Sequence, residues 1–309
     1  MARLLVARYL SEWLNGCVTI DGPGADADSK PITRRAVLAG AAGAAGVVAL
    51  GWGGYGVMHR PDTHVGMRSA APVQVGDAPV TEVVLLVSPG FWPVDIIGLH
   101  TAFGLIPGVK LHLVWKSTDE VMGFPTFPAR PTTTYDDCPR DVTVLYAGAT
   151  DGAVFEDAET LEFLADRGSR ARWVAGSCTG TLLLGAAGLL RGYRATTNFQ
   201  AAHLLPYVGA THAPGNVVED RNRITAGPAT GGFEIAFRLI QDIYGDEAAR
   251  EAILQAEYAP SPLFNVGTPE LAGPELTDRA RARTAPAIQS LHEIMKRTSA
   301  RLLLKHARR

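Results

Sequence analysis

The residues with the clearest capacity for chemistry are Gly176-Ser177-Cys178-Thr179-Gly180, a G-x-C-x-G run. Apolar Trp173–Gly176 precedes it and a Leu/Gly/Ala stretch, Thr179–Leu190, follows, so the run reads as a strand-to-helix turn. It is the cysteine form of a nucleophile elbow, in which a strained turn lifts the reactive side chain clear of a sheet. Small neighbours permit such a turn. A helix start next to the thiol favours a thiolate, which predicts a lowered pKa for Cys178. The Thr179 N–H becomes a donor to developing negative charge. A buried structural cysteine that happens to lie between glycines is the plainer alternative. Cys138, beside Pro139 in a polar loop, is expected to be incidental, and Cys17 lies outside any core.

Asp95 is the second residue of interest. It opens a stretch of helical apolar spacing, 95–106, directly after a predicted strand and turn. It suits either proton transfer or N-capping of that helix. The eight histidines (59, 64, 100, 112, 203, 212, 292 and 306) show no metal-ligand spacing. His100 and His203 are the two that could approach a thiol, and for each a surface or half-buried position is the commoner fate.

The elements that must position these groups alternate. Strands are predicted at 80–87, 109–115, 142–146 and 173–176, each short and apolar as for strands covered on both faces. Helices are predicted at 95–106, 160–167, 179–190, 231–244, 246–258 and 275–305, with a hairpin at 217–225 and an irregular or hairpin excursion at 121–135. This order implies an α/β fold with a mainly parallel sheet and helices on both faces. The site should lie beyond the carboxyl ends of the strands, in loops 88–95, 147–151 and 176–180.

Composition narrows the classes. Among 309 residues, 47% are apolar and 19% charged, which excludes a disordered chain. Lys plus Arg number 29 against 31 Asp plus Glu, so no basic excess points to nucleic acid. Three cysteines are too few for a disulfide scaffold, and no internal repeat is present. At the N-terminus, Arg34-Arg35 precedes residues 36–58, which lack charge and are rich in Gly and Ala. That pattern is expected of a twin-arginine export signal or an inner-membrane anchor, with membrane contact through 36–58. The alternative is a cytoplasmic protein with an unstructured extension. The best small-residue cleavage site is Ser69-Ala70-Ala71. Gly51, Gly53 and Gly56 satisfy G-x-G-x-x-G, but no amphipathic helix follows, so the match is accidental. The organisation expected is a presequence over 1–60, a linker over 61–78, an α/β domain over 79–274, and a C-terminal helix with a basic tail over 275–309.

Taken together, these motifs resemble the ThiJ/PfpI superfamily, with its class I glutamine amidotransferase-like fold, and within it the isonitrile hydratase branch. An aspartate after the first strand stands in Val94-Asp95-Ile96-Ile97-Gly98-Leu99, where the branch has a proline after the glycine. The S-C-T-G elbow is Ser177 to Gly180, followed by Gly188-Leu189-Leu190. The branch's A-T-T-H-W segment reads Ala195-Thr196-Thr197-Asn198-Phe199. Asn222–Gly227, Thr230-Gly231-Gly232, Glu257–Pro260 and Pro262–Gly267 also match, so the likeness runs from about Pro79 to Glu270. It implies a flavodoxin-like sheet, a homodimer, no metal and no organic cofactor. It implies addition of water to an isonitrile, giving an N-substituted formamide. The catalytic residues it implies are Cys178, Asp95 and Thr179, with backbone N–H donors at Gly148 and Thr179. Ala149 replaces the second glycine of that turn, and Asn198 and Phe199 form a pocket wall.

Other readings fit less well. Protease-like or glyoxalase-like branches place a His after the Cys or a Glu after the first strand, where Thr179 and Asp95 stand here. A regulator of the AraC type would need a helix-turn-helix unit, for which residues 275–309 leave no room. A ligand- or redox-sensing domain using Cys178 without turnover is the main alternative.

Overall fold

A computed structural model describes residues 80–307. The expected presequence, its arginine pair, the 36–58 segment, the Gly51–Gly56 match and the whole of the 61–78 linker lie outside the described residues.

The first strand, β1 (Glu82–Leu86), feeds α1 (Pro93–Gly104) and then β2 (Lys110–Trp115). A hairpin of β3 (Val121–Gly123) and β4 (Phe127–Ala129) leads to β5 (Thr133–Thr134). Next come β6 (Val144–Ala147), a 3-10 turn at Gly152–Glu156, α2 (Ala158–Arg170), β7 (Trp173–Ser177) and α3 (Gly180–Ala186). A small pair, β8 (Arg194–Ala195) and β9 (Thr211–His212), brackets a second 3-10 segment at Ala202–Val208. The hairpin β10 (Val217–Asp220) and β11 (Arg223–Ala226) precedes α4 (Gly231–Tyr244), α5 (Asp246–Gln255) and α6 (Pro269–Ala307). The main sheet runs β10-β11-β7-β6-β1-β2-β5. Its neighbours are parallel except β10 with β11. This is the mainly parallel sheet that the alternation implies, with the flavodoxin-like arrangement that the resemblance implies, and the strand order reverses between β2 and β6 on either side of β1.

Strand parity builds two cores from one sheet. Successive side chains point to opposite faces. Val84 and Leu86, Leu145 and Ala147, and Val174 pack on the face covered by α2, α3 and α6. Val83 and Leu85, Val144 and Tyr146, and Trp173 and Ala175 pack on the other, under α1, α4 and α5. Ser177 has the parity of Trp173 and Ala175, so it shares the α1 face with Tyr146. Gly176 faces the other way, and a side chain there would meet the Leu184 Cδ1 methyl at 2.8 Å.

Several expected boundaries shift for local reasons. Helix α1 begins at Pro93, whose fixed φ and missing N–H suit the first helical position. Asp95 is therefore the third helical residue and not its N-cap; Trp92 holds that place without a side-chain cap. The helix expected over 179–190 is the short, wholly buried α3, and Gly188 at φ 87° turns the chain soon after it ends. The C-terminal helix begins at Pro269 but is broken by Gly273 at φ 73°, then continues through Pro274. Its Leu291, Ile294 and Met295 belong to the core beside α3, so it is a packed layer of the domain. Cys138 is not a loop bystander: it is 3% exposed within the same core, and burial raises its thiol pKa.

Gly180 allows a close approach of backbone to backbone. A methyl group placed there would collide with the carbonyl oxygens of Ala147 and Gly148. Backbone cannot yield as a flexible side chain does. Gly180→Ala is expected to lower stability by roughly 1–3 kcal/mol, read as a lower denaturation midpoint of the full chain. A midpoint equal to that of the parent would contradict this packing.

Candidate functional site

Three loops meet at the carboxyl ends of β1, β6 and β7, the three regions expected from the alternation. Cys178 sits between β7 and α3 with φ 51°. For a residue with a side chain, this left-handed conformation costs about 1–3 kcal/mol and persists only when its surroundings hold it. The Cys178 N–H donates to the Ala226 carbonyl at 3.0 Å, and its carbonyl accepts from the Thr197 hydroxyl at 2.6 Å. The Thr181 N–H also reaches that carbonyl, at 3.4 Å. The turn is thus pinned from β11, the 196–199 segment and α3 together.

Asp95 enters the site from the first turn of α1 and is wholly buried. Its Oδ2 accepts the Ala149 N–H at 3.1 Å, and its Oδ1 accepts the Ser177 hydroxyl. The Tyr146 hydroxyl, on the next strand, donates to the Asp95 carbonyl at 2.8 Å and lies 2.5 Å from Ser177 Oγ. Gly148 lets the β6 turn come close: a Cβ there would stand 2.6 Å from Asp95 Cβ. The amide that serves Asp95 is that of Ala149, the residue that departs from a double glycine. A backbone N–H needs no particular side chain, so the departure leaves this contact intact.

Burial dominates the electrostatics. It pushes the Asp95 carboxyl up to about 6, against the lowering effect of Ser177 and the Ala149 amide. It pushes the Cys178 thiol up to about 12, and the nearby Asp95 charge adds to the rise. The Thr179 amide and the Asn198 and Thr179 side chains reach the sulfur and oppose the rise without reversing it. The lowered thiol pKa expected from the helix start is therefore corrected: α3 is only 7 residues long, and desolvation outweighs its dipole. Thr179 presents both its amide and hydroxyl to the sulfur. Asn198, expected only as a pocket wall, is a direct partner of the thiol, and its Oδ1 is fixed by the Gln200 N–H at 3.0 Å.

The histidines do not complete a triad. Among the described residues, no histidine hydrogen-bonds Cys178 or Asp95. His100 is half-buried on α1, where burial lowers its pKa. His203 lies with its ring 5.8 Å from that of His292, which hydrogen-bonds the Tyr207 hydroxyl at 2.8 Å. His203 and His292 border a groove of 1130 Å³ between the 196–200 segment, the 267–268 loop and α6. Asn198 and Phe199 line it, so the groove opens beside the thiol's own partner. Among the described residues, no cluster of three or more His, Cys, Asp or Glu is arranged to hold a metal ion.

Tyr146, Ser177 and Thr197 were not singled out as functional by the sequence. The first reads as an apolar strand residue and the second as a small elbow neighbour. Strand parity was the available signal, since it puts both on the face where Asp95 arrives.

The model of the DJ-1/PfpI family matches residues 81–242. The chain is 40% identical over 225 residues to an isonitrile hydratase of Pseudomonas putida, covering 72% of this chain and 99% of that protein. A ThiJ/PfpI family crystal structure from Pseudomonas syringae superposes with a TM-score of 0.67 at 34% identity, covering 79% of this chain and 98% of that one. The oxidized DJ-1 of Toxoplasma gondii, 16% identical, shares the fold with a TM-score of 0.53, covering 58% of this chain and all of the other (100%). The chain belongs to the DJ-1/PfpI family.

Proposed function

We propose that the protein is an isonitrile hydratase-like hydro-lyase in which Cys178 is the nucleophile. The observation that carries this reading is the meeting of a strained, doubly anchored Cys178 with the buried carboxyl of Asp95 at the strand ends. The 40% identity to the Pseudomonas putida isonitrile hydratase supports the substrate class.

An isonitrile carbon is soft and accepts both a nucleophile and a proton. The Cys178 sulfur bonds to that carbon, and the thiol's proton ends on the same carbon, giving the thioimidate Cys–S–CH=N–R. Asp95 is the group that passes the proton, since its pKa of about 6 lets it both give and take one near neutral pH. Water then adds its oxygen to the carbon and one proton to nitrogen. Breaking the C–S bond returns the other proton to sulfur and releases R–NH–CHO. The N–H groups of Thr179 and Gly148 serve the charge that develops on the intermediate, and the Thr179 hydroxyl orients the sulfur or the water. The substituent R lies in the groove lined by Asn198 and Phe199. Neither a metal nor an organic cofactor is part of the scheme, and the partner is a small molecule, with no nucleic acid.

The sensing alternative keeps Cys178 reactive without turnover, and the 40% identity to an isonitrile hydratase favours turnover over it. We also read the protein as a homodimer. The support is apolar surface that a monomer would leave wet, above all the Trp92–Phe124 stack with ring centroids 4.8 Å apart. The N-terminal residues 1–60 are read as an export signal or anchor; among the described residues, no helix is long and apolar enough to cross a membrane.

Incubated with a simple alkyl isonitrile, the full chain is expected to release the formamide, and Cys178→Ala to lose at least about 100-fold of that rate while keeping its fold. Turnover retained in the variant would remove the nucleophile. Light scattering is expected to give twice the chain mass, and a monomer would refute the dimer. Replacing both Arg34 and Arg35 with lysine is expected to abolish accumulation outside the cytoplasm; unchanged fractionation would refute the export reading.

A further inference from the structure

The groove beside the thiol is larger than a simple alkyl isonitrile needs. It encloses 1130 Å³, whereas sites that bury whole drug-sized ligands span roughly 300–1,000 Å³. Its lining is also the wrong chemistry for a plain alkyl chain. Side-chain amides border it from two sides: Asn198, Gln200 and Asn216 from the chain between α3 and β10, and Gln289 from α6. Asn198 is committed to the Cys178 sulfur and to the Gln200 N–H. The others are unspent. Among the described residues, the Gln200 and Asn216 side chains make no hydrogen bond, and Gln289 Nε2 reaches only Glu293 Oε1, at 3.4 Å. Asn216 belongs to the thiol end of the groove. Its carbonyl accepts the Gly227 N–H at 2.9 Å, and a Cβ on Gly227 would stand 3.1 Å from the Thr197 carbonyl, next to Asn198.

Charge in the lining is balanced. Apart from histidines, the ionisable groups there are Glu270 and Arg281, one of each sign, so the groove selects neither an anion nor a cation. A primary amide offers an acceptor and two donors, which match the N–H and the carbonyl of a second amide. Phe199 and Ile288 add apolar surface for the carbon that follows. We infer that the substrate is an isocyano amide: an isonitrile whose uncharged substituent carries an amide close to the reacting carbon. Asn216 and Gln289 are the specificity-determining residues that meet this amide, while Asn198 serves the sulfur. One water adds across the isonitrile carbon and nitrogen, and the substrate amide is left unchanged. The product is then an N-formyl amino-acid amide.

The isonitrile end of this inference rests on the hydratase reading, and the amide end is also read without turnover. Two measurements on the full chain test it. The first compares N-butyl isocyanoacetamide with butyl isocyanoacetate, which has equal length and lacks the amide N–H. The amide is expected to have a kcat/KM at least about fivefold higher, carried by KM, and Gln289→Leu to bring the two within about twofold. The second is calorimetry with two formamides of equal length, N-formylglycine butylamide and N-heptylformamide. The first is expected to bind at least about fivefold more tightly. That preference without turnover of either isonitrile would remove the hydratase reading and leave the groove assignment standing. Equal affinities, or no binding of either formamide, overturn the inference whatever the turnover. So do equal kcat/KM values for the two isonitriles, or a preference that Gln289→Leu leaves intact.

Discussion

A carboxyl group buried without a cation is the constraint around which this site is organised. Its shift from 3.8 to about 6 corresponds to about 3 kcal/mol of preference for the neutral form in the folded chain. The sign follows from linkage. A pKa raised by folding adds stability that is complete below 3.8 and is lost as pH rises through about 6. Above that range the folded chain holds an ionised Asp95 against its solvation, and the neighbouring chain supplies the remedies. The Ala149 amide and the Ser177 hydroxyl reach the carboxyl and the Tyr146 hydroxyl holds the Asp95 backbone carbonyl; they come from two other strand ends, and each depends on the sheet register to arrive.

The same constraint explains why the glycines sit where they do. Gly148 lets the β6 turn approach Asp95, and Gly180 lets the first turn of α3 rest on the β6 carbonyls. Gly232 lets α4 pass the Asp95 carbonyl, with a Cβ position only 2.7 Å from it. Close packing from both sheet faces excludes water from the carboxyl and the thiol alike. It also explains why Cys178 does not behave as an exposed helix-start thiolate. Its sulfur is served by Thr179 and Asn198, while desolvation sets its resting protonation.

Much of this was legible in the sequence, for physical reasons. Buried parallel strands are short apolar runs, so β1, β6 and β7 were visible, and the elbow between β7 and α3 announced itself through paired glycines around Cys178. Asp95 was legible as a site residue but not its position in α1, because Pro93 at the first turn moved the helix start upstream. The direction of the thiol shift was not legible. A helix-start argument uses only local sequence, whereas the burial that decides it comes with the packing of β11 and the 196–199 segment around the turn. Tyr146 and Ser177 needed strand parity and register together, which a single sequence gives only weakly. The role of Asn198 likewise depends on a segment 20 residues beyond the cysteine folding back over it.

The central claim is a covalent bond between Cys178 and the isonitrile carbon. Addition of the thiol is atom-neutral, so the intermediate weighs the intact chain plus the whole isonitrile. The direct measurement is mass spectrometry of the wild-type chain after rapid acid quench at successive times of turnover, with the isonitrile in excess. The account predicts that mass increase, located on the peptide carrying Cys178. Formamide production with no adduct at Cys178 at any quench time would contradict it.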